Sequence, residues 1–468
     1  MPKTNEFETT SYEYNTSKKR FSNEANRHYT YSSADDLLNN TDDLIKIIRH
    51  HNEYQQKRLY ELREYYLGNN TTILKGKRRR EEHLADNRAT HNFAKYVSQF
   101  IQGYMIGVPL KTTYSDDDDI NEMLRDMNRN NDADEHNSDL VLDQSIYGRA
   151  YELIYRNIND EIRFTQLDVL NTFVIYDDTV ERNSIAGVRY IRNQFQNDTT
   201  KVYVYTDSRI VVYDLDDSFN LTLVDDSQTH SFNGVPIIEY ENNKFRQGDF
   251  EDVLNLIDLY DSAESDTANY MQDLNDAMLV IKGNLEIDTK EAQKMKEKNI
   301  LMLQTEPYGE GRQPQADADY IYKKYDVGGT EAYKSRIEND IHKFTNTPNM
   351  NDERFAGNQS GEALKYKLFG LEQVRSIKER LFKKSLRDRY RLIKNIMKVA
   401  SEGEFNVNDI DITFTPNLPK SLKDEIEAFV KLGGDLSDET KLSLLSFIEN
   451  PQEEMERIKN ESPRSEYA

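Results

Sequence analysis

Three observations predict a mainly helical α+β protein. Apolar residues recur at helical spacing in several long stretches, and short β-branched and aromatic runs crowd one block between residues 151 and 213. A smaller set of strand-like runs lies far downstream, between two further helical patterns. The 468 residues carry 84 acidic and 61 basic side chains, a formal charge of −23, and neither Cys nor Trp. With only 37% hydrophobic residues, much polar surface must be solvated or covered by partners. Zero Cys excludes disulfides, thiol nucleophiles and Cys-ligated metals. Met1 to Glu8 lack the basic-then-apolar pattern of a signal peptide, and no run approaches the ~18 apolar residues of a membrane span. A soluble chain assembled in a reducing cytosol, without membrane contact, is therefore expected. Net acidity argues against a static nucleic-acid binder but not against a protein that DNA merely passes.

Residues 1–40, rich in Asn, Ser, Thr and Tyr without apolar periodicity, are expected to be a mobile arm or a tail that orders on assembly. Thr41 followed by Asp42 and Asp43 reads as the N-cap of a helix carrying Leu44, Ile47, Ile48, Leu59, Leu62 and Tyr66, stopped at Gly68. A second helix is expected from about Asn87 to Met105, before Gly107-Val108-Pro109. A third runs from about Asn137 to Tyr147, after an acidic turn at Asp116 to Asp119. The strand-like runs are 151–155, 173–176, 187–191, 202–205 and 210–213, with Thr206-Asp207-Ser208 as a hairpin turn.

From Asp249 to Met278 helical spacing returns through Phe250, Val253, Leu254, Ile257 and Tyr260. Its other face carries Asp249, Glu251, Asp252, Asp258, Asp261, Glu264 and Asp266, then Asp273 and Asp276, with no Lys or Arg among them. A helix without opposite charges at i,i+4 forgoes easy stabilisation, so this charge is either a solvated face or reserved for something else. Residues 279–325 read as a small α/β unit: strands at 279–281 and 300–303, a helix around Lys290 to Lys298, and a polar loop at 307–314. A helix follows from Glu331 to Phe344, then a loop from Thr345 to Ser360, where Ser360 is placed to cap a long helix. Between Lys365 and Lys398 that helix has twelve basic and three acidic residues. The tail holds a strand at 410–414 and helices near Leu422 to Lys431 and Ser437 to Glu449.

The search for chemistry is mostly negative. There is no P-loop and no G-x-S-x-G elbow, and Gly309-Glu310-Gly311 meets Pro314 where a dinucleotide fingerprint needs its third Gly. Asp117, Asp119 and Asn121 mimic the start of a calcium loop, but Glu122 replaces the turn Gly and Asn128 the bidentate Glu. None of His28, His50, His51, His83, His91, His136, His230 and His342 has a metal-ligand spacing. The basic run Lys75 to Arg80 suits either a neighbour's acidic surface or plain solvation.

Several strings together resemble the portal proteins of tailed double-stranded DNA bacteriophages, in the branch of long-tailed phages of Gram-positive hosts. They are Tyr65-Tyr66-Leu67-Gly68, Asn87-Arg88 with Asn92, Gly107-Val108-Pro109, Ser145-Ile146-Tyr147-Gly148-Arg149-Ala150-Tyr151-Glu152 and Phe173-Val174-Ile175-Tyr176-Asp177. The most specific runs from Thr347-Pro348-Asn349-Met350-Asn351-Asp352-Glu353-Arg354 to Leu368. The resemblance spans about 41–450 in order. It implies a ring, usually of twelve subunits, at one capsid vertex of the virion, assembled in the host cytoplasm. The ring nucleates the procapsid, docks the terminase motor, channels DNA and connects head to tail. Its partners would be the terminase large subunit, a head–tail adaptor, the major capsid and scaffolding proteins, and double-stranded DNA passing non-specifically.

The same resemblance divides the chain into an N-terminal arm (1–40), wing (41–240), stem helix (241–278), clip (279–325), second stem helix (326–345), tunnel loop (346–360), long basic wing helix (361–403) and crown with tail (404–468). It puts Asn346, Asn349, Met350, Asn351, Asp352, Arg354 and Asn358 beside the DNA. Asp249 to Asp266 become an acidic stem face. Lys378, Lys383, Lys384, Arg387 and Arg391 are expected to meet acidic surface on the next subunit, and Lys290, Lys294, Lys298 and Tyr308 of the clip to meet partners. No catalytic residue, metal or cofactor is expected. Two competing readings are a non-conduit viral scaffold and a metal-dependent nuclease using clustered carboxylates.

Overall fold

The computed structural model describes residues 19–75, 85–114, 117–192, 195, 199–273, 278–283, 294, 300–304, 317–321, 326–350, 366–417, 422–431, 436–442 and a few positions between 445 and 458. Of the N-terminal segment that the sequence gives no periodicity, the described residues 19–40 belong to the fold. β1 (Tyr29–Thr30) and α1 (Ala34–Asn39) precede α2 (Thr41–His50). Tertiary pairing supplies the order: Arg20 reaches Glu61 at 2.8 Å and Asp258 at 2.7 Å, and β1 adds to a sheet edge. The cap of α2 falls at Asn40, one residue before the expected Thr41. A π-helical turn, His51–Gln55, separates α2 from α3 (Gln56–Tyr66) and turns His51 and Gln55 fully inward. The short α4 (Thr71–Leu74) follows.

The next helix, α5 (Phe93–Ile106), starts six residues later than its spacing predicts. The reason is a zipper to a distant helix, α8 (Leu254–Asp273): the backbone N–H groups of Asn87, Ala89 and His91 donate to the side chains of Asn269, Ser265 and Asp261 at 2.6, 2.9 and 2.9 Å. Two extended residues advance about 6.7 Å and four helical ones about 6.0 Å, so the two ladders stay in step. This match holds the segment extended until Asn92 caps α5 by accepting from the Lys95 N–H.

After β2 (Lys111–Tyr114), the expected acidic turn proves to be a helix start. Asp117 accepts from the Ile120 N–H and begins α6 (Asp118–Asn130). Asn121, the third calcium-like position, is bonded to the Tyr114 backbone. α7 (Ala133–Tyr147) ends on Gly148, whose φ of +82° only Gly adopts freely.

The antiparallel block is larger than the sequence runs suggest. β3 (Arg149–Arg156), β4 (Ile162–Leu167) and β10 (Ile237–Glu241) form a sheet ordered β10-β3-β4. β5 (Thr172–Tyr176), β6 (Ser184–Arg192), β7 (Thr200–Tyr205), β8 (Arg209–Leu215) and β9 (Leu221–Thr229) extend from β1 in the order β1-β5-β6-β7-β8-β9. The hairpin at 206–208 closes through the Thr206 N–H to Arg209 O bond. Gly187 of β6 lets the two sheets approach, since a Cβ there would lie 2.8 Å from Ile237 Cβ.

α8 leads to a three-stranded sheet in which β11 (Met278–Gly283) is parallel to β12 (Ile300–Gln304) and antiparallel to β13 (Asp317–Ile321). The sequence reading has the first two strands but not the third. The helix expected around Lys290 to Lys298 lies outside the described residues, apart from Lys294. α9 (Val327–Phe344) returns beside α8, and α10 (Phe369–Ala400) buries the stripe Phe382, Leu386, Tyr390, Ile393 and Met397. The proposed cap Ser360 and the first turns of that helix lie outside the described residues. β14 (Ile410–Thr413) pairs with β2, and Phe405, Ile410, Ile412 and Phe414 join the core around α10. α11 (Leu422–Lys431) and α12 (Asp438–Leu442) end the described elements. Among the described residues no helix is long and apolar enough to cross a membrane.

Candidate functional site

The acidic side of α8 is the first site the sequence singles out, and the structure places most of its charge against cations of the same chain. Asp249 is paired with Lys378, Glu251 with Arg58, Asp258 with Arg20, and Glu264 with Lys334 at 3.0 Å. Asp261 is fully buried, accepting from His91 Nδ1 at 2.9 Å and Asn70 Nδ2 at 2.7 Å. That bond to Asp261 raises the His91 pKa against its partial burial. Asp252 and Asp266 remain on the exposed side. Most of this charge is therefore engaged within the chain, whereas the sequence left open a solvated face or a face reserved for something else. Its opposite charges are absent at i,i+4 because they arrive from the arm, α3, α9 and α10.

The basic helix shows the same inversion. Lys378 is 2% exposed and paired inside its own subunit with Asp249, so it is not available to a neighbour. Burial lowers its pKa, against the pull of Asp249. Lys383 bonds Glu379 at 2.6 Å and Arg391 bonds Asp388, both along the helix, while Lys384 and Arg387 are exposed. Of the five residues expected to reach across, these last two keep the geometry for it.

The loop after α9 begins tied to the protein. Thr345 and Thr347 are buried and share a 2.7 Å hydroxyl bond, Tyr96 donates to Pro348 O at 2.6 Å, and Asn349 Nδ2 donates to Glu338 at 3.0 Å. Asn346 is exposed with φ +55°, and its Oδ1 would lie 2.8 Å from a Cβ built on Gly370. The two ends of the excursion are thus adjacent. Met350, 53% exposed, is the last described residue before it. Asn351, Asp352, Arg354 and Asn358 lie outside the described residues, as do Lys290, Lys298 and Tyr308; Lys294 is exposed.

The buried charges are what sequence reasoning missed. Arg389 pairs with Glu152 at 2.6 Å at 1% and 0% side-chain exposure, and Glu152 also accepts from His136 at 2.7 Å and Tyr240 at 2.8 Å. Burial opposes its charge, yet Arg389 and His136 hold Glu152 down to about 2. On the opposite side of β3, Glu239 accepts from Arg246 at 2.5 Å, Tyr176 at 2.6 Å and Tyr151 at 3.3 Å. A signal existed: Arg149, Glu152 and Glu239 interrupt runs otherwise made of β-branched and aromatic residues, and a charge in such a run needs a buried partner.

His28, Glu239 and Glu241 place one ligand atom each within 4.8 Å of one another, the geometry of a small metal cluster. Arg246 already occupies it: its guanidinium pairs with Glu239 and approaches His28 Nδ1 at 3.5 Å. Burial and Arg246 lower His28 to about 4, while burial and Glu239 raise Glu241 to about 7. A divalent cation would have to displace a buried guanidinium, so this cluster is built as an ion-pair core.

Residues 45–466 match the family described as phage portal protein, SPP1 Gp6-like. The portal protein of Bacillus phage SPP1 is 23% identical over 444 residues, covering 90% of this chain and 84% of that one. The portal protein of Clostridium phage phiCD119 is 27% identical over 395 residues, covering 78% and 83%. A solved structure titled "Neck of empty GTA particle computed with C6 symmetry" aligns at a TM-score of 0.42 and 11% identity, over 75% of this chain and 89% of that one. With one family matched across nearly the whole described fold, the chain belongs to the SPP1 Gp6-like family of phage portal proteins.

Proposed function

We propose that this portal protein closes head to tail into a ring whose axial channel passes double-stranded DNA into and out of the capsid. The ring would sit at one vertex, as a component of the virion. The family match across 45–466 carries this reading. It is supported by the placement of two helices, α8 and α9, on either side of the β11–β13 sheet, and of a loop between α9 and α10 whose ends lie together. In this reading α8 and α9 are the stem, the small sheet is the clip that meets terminase and later the head–tail adaptor, and the two large sheets with α2 to α7 and α10 form the wing. Capsid and scaffolding proteins contact the outside. The loop of 346–360 faces the DNA through Asn346, Met350, Asn351, Asp352, Arg354 and Asn358, side chains that offer weak, reversible contacts. Asn349, held by Glu338, anchors its start. Net negative charge lets DNA slide rather than be held by counterion release.

Electron microscopy of the purified protein tests the ring. Closed rings of about a dozen subunits with an axial hole are expected, and irregular or dimeric particles in native-like ionic conditions would overturn the conduit. A second test shortens the 346–360 loop: rings should persist while DNA packaging or retention fails, and normal packaging would remove the loop from the channel. The nuclease reading gains no observation here, because the described carboxylates that cluster are held by arginine, lysine and histidine.

A further inference from the structure

Arg149 begins β3 and lies on the side of the strand that faces the six-stranded sheet, with Tyr151 two residues on. It is 0% exposed, and among the described residues Nε, Nη1 and Nη2 all lack a hydrogen-bond partner. A guanidinium has five N–H donors and stays charged in proteins, so one buried without acceptors is strongly unfavourable. The neighbouring carboxylates are already engaged. Glu239 is filled by Arg246, Tyr151 and Tyr176, and Glu251 by Arg58 together with the Gly248 N–H. Three guanidiniums, Arg58, Arg149 and Arg246, therefore share this interior with two paired carboxylates. Glu241 stands directly across the strand pair from Arg149, yet its nearest basic atom is His28 Nε2, at 3.6 Å. Among the described residues two more buried nitrogens lack partners, His51 Nε2 and Arg246 Nε, on side chains close enough to interact electrostatically with Arg149.

We propose that Arg149 holds a small inorganic anion of the halide class in the interface between the three-stranded and six-stranded sheets, with His51 Nε2 and Arg246 Nε beside it. The chemistry selects sign: the unmatched charge is positive. The cleft of about 640 Å³ lined by Arg20, Arg58 and Phe245 does not extend to Arg149, and a monatomic ion is the smallest anion that a site without that opening could take. The ion would tie β3 to the His51 turn and to the 242–248 loop. That loop packs so tightly on Gly148 that a Cβ there would lie 2.0 Å from Arg246 O.

The test uses the full chain in potassium gluconate against potassium bromide at equal ionic strength. Bromide should raise the Tm by roughly 2 °C for each tenfold increase above its Kd, and Arg149→Met should lose that response. Equal melting of the wild type in both salts, or a response retained by Arg149→Met, would overturn the proposal. If that variant does not fold, anomalous scattering from wild-type crystals in bromide decides. A bromide peak within hydrogen-bond reach of Arg149 is expected, whereas water alone, or the Glu241 carboxylate seated on Arg149, overturns the site.

Discussion

Strand β3 has two faces, and they handle buried charge in opposite ways. On the α10 side, Glu152 receives Arg389, His136 and Tyr240, and Arg389 is further engaged by Asn137 at 2.9 Å. On the other side, three residues away, Arg149 is as deeply buried and its side chain meets no acceptor among the described residues. The contrast shows that burial by itself says little about a charge. What matters is whether other elements bring partners to it: those of Glu152 come from β10 and α10, 88 and 237 residues away, and from α7, the helix just before β3.

Breaking the satisfied face should have the largest effect. Arg389→Met leaves Glu152 buried with its main counter-charge gone, and a loss of about 4 kcal/mol in urea unfolding is expected; a change under about 1 kcal/mol would mean that the pair contributes little. Acid probes the same contact. Because the folded pKa of Glu152 lies near 2, below an unfolded value of ~4.3, its stabilisation is fully present above that upper value. It is lost as pH falls toward 2, by about 3 kcal/mol in total. The wild type should therefore show an acid-side decline between those limits that Arg389→Met largely lacks.

Lys378→Met comes next. It orphans Asp249, which keeps Asn242 Nδ2 at 3.0 Å, so a loss at the low end for a broken buried pair, about 3 kcal/mol, is expected from the same measurement. Arg149→Met sharpens the comparison because it orphans no carboxylate. In gluconate it should be at least as stable as the wild type, because it removes a buried charge that has no acceptor, and a loss as large as that of Arg389→Met would show that Arg149 has a protein partner. The smallest effect on the folded chain belongs to Lys384→Glu with Arg387→Glu, within ~0.5 kcal/mol, since both are exposed. Their effect should appear in ring assembly, read by mass photometry at low and high salt. Unchanged rings in both would remove α10 from the subunit interface.

The legibility of the fold follows the same divide. Leu254 and Ile257 of α8, the Phe382 to Met397 stripe of α10 and the alternation in β6 to β8 report their own periodicity, so those elements are readable from local spacing. α6 is not, because Asp117 to Asp119 look like a turn until Asp117 caps the Ile120 N–H. The run 87–91, which the sequence reading places at the start of a helix, is held out of it by Asp261, Ser265 and Asn269. The portal strings were legible as a resemblance before their physical roles were. Gly148 and Arg149 mark a crowded corner, Glu152 an ion-pair centre, and Asn92 a cap that also donates to Tyr66 O.

By itself, the sequence determined the mixed helical and antiparallel character of the chain, the order of its longer helices and most apolar strands, the small strand unit between two helices and the membership in the portal family, because these depend on neighbours within a few residues or on strings kept in order. Tertiary structure alone decided where the charge goes. Ion pairs such as Asp249 with Lys378, 129 residues apart, and Glu152 with Arg389, 237 apart, leave no local periodicity. An acidic helix and a basic helix that read as surfaces for other molecules are for that reason largely engaged with their own chain.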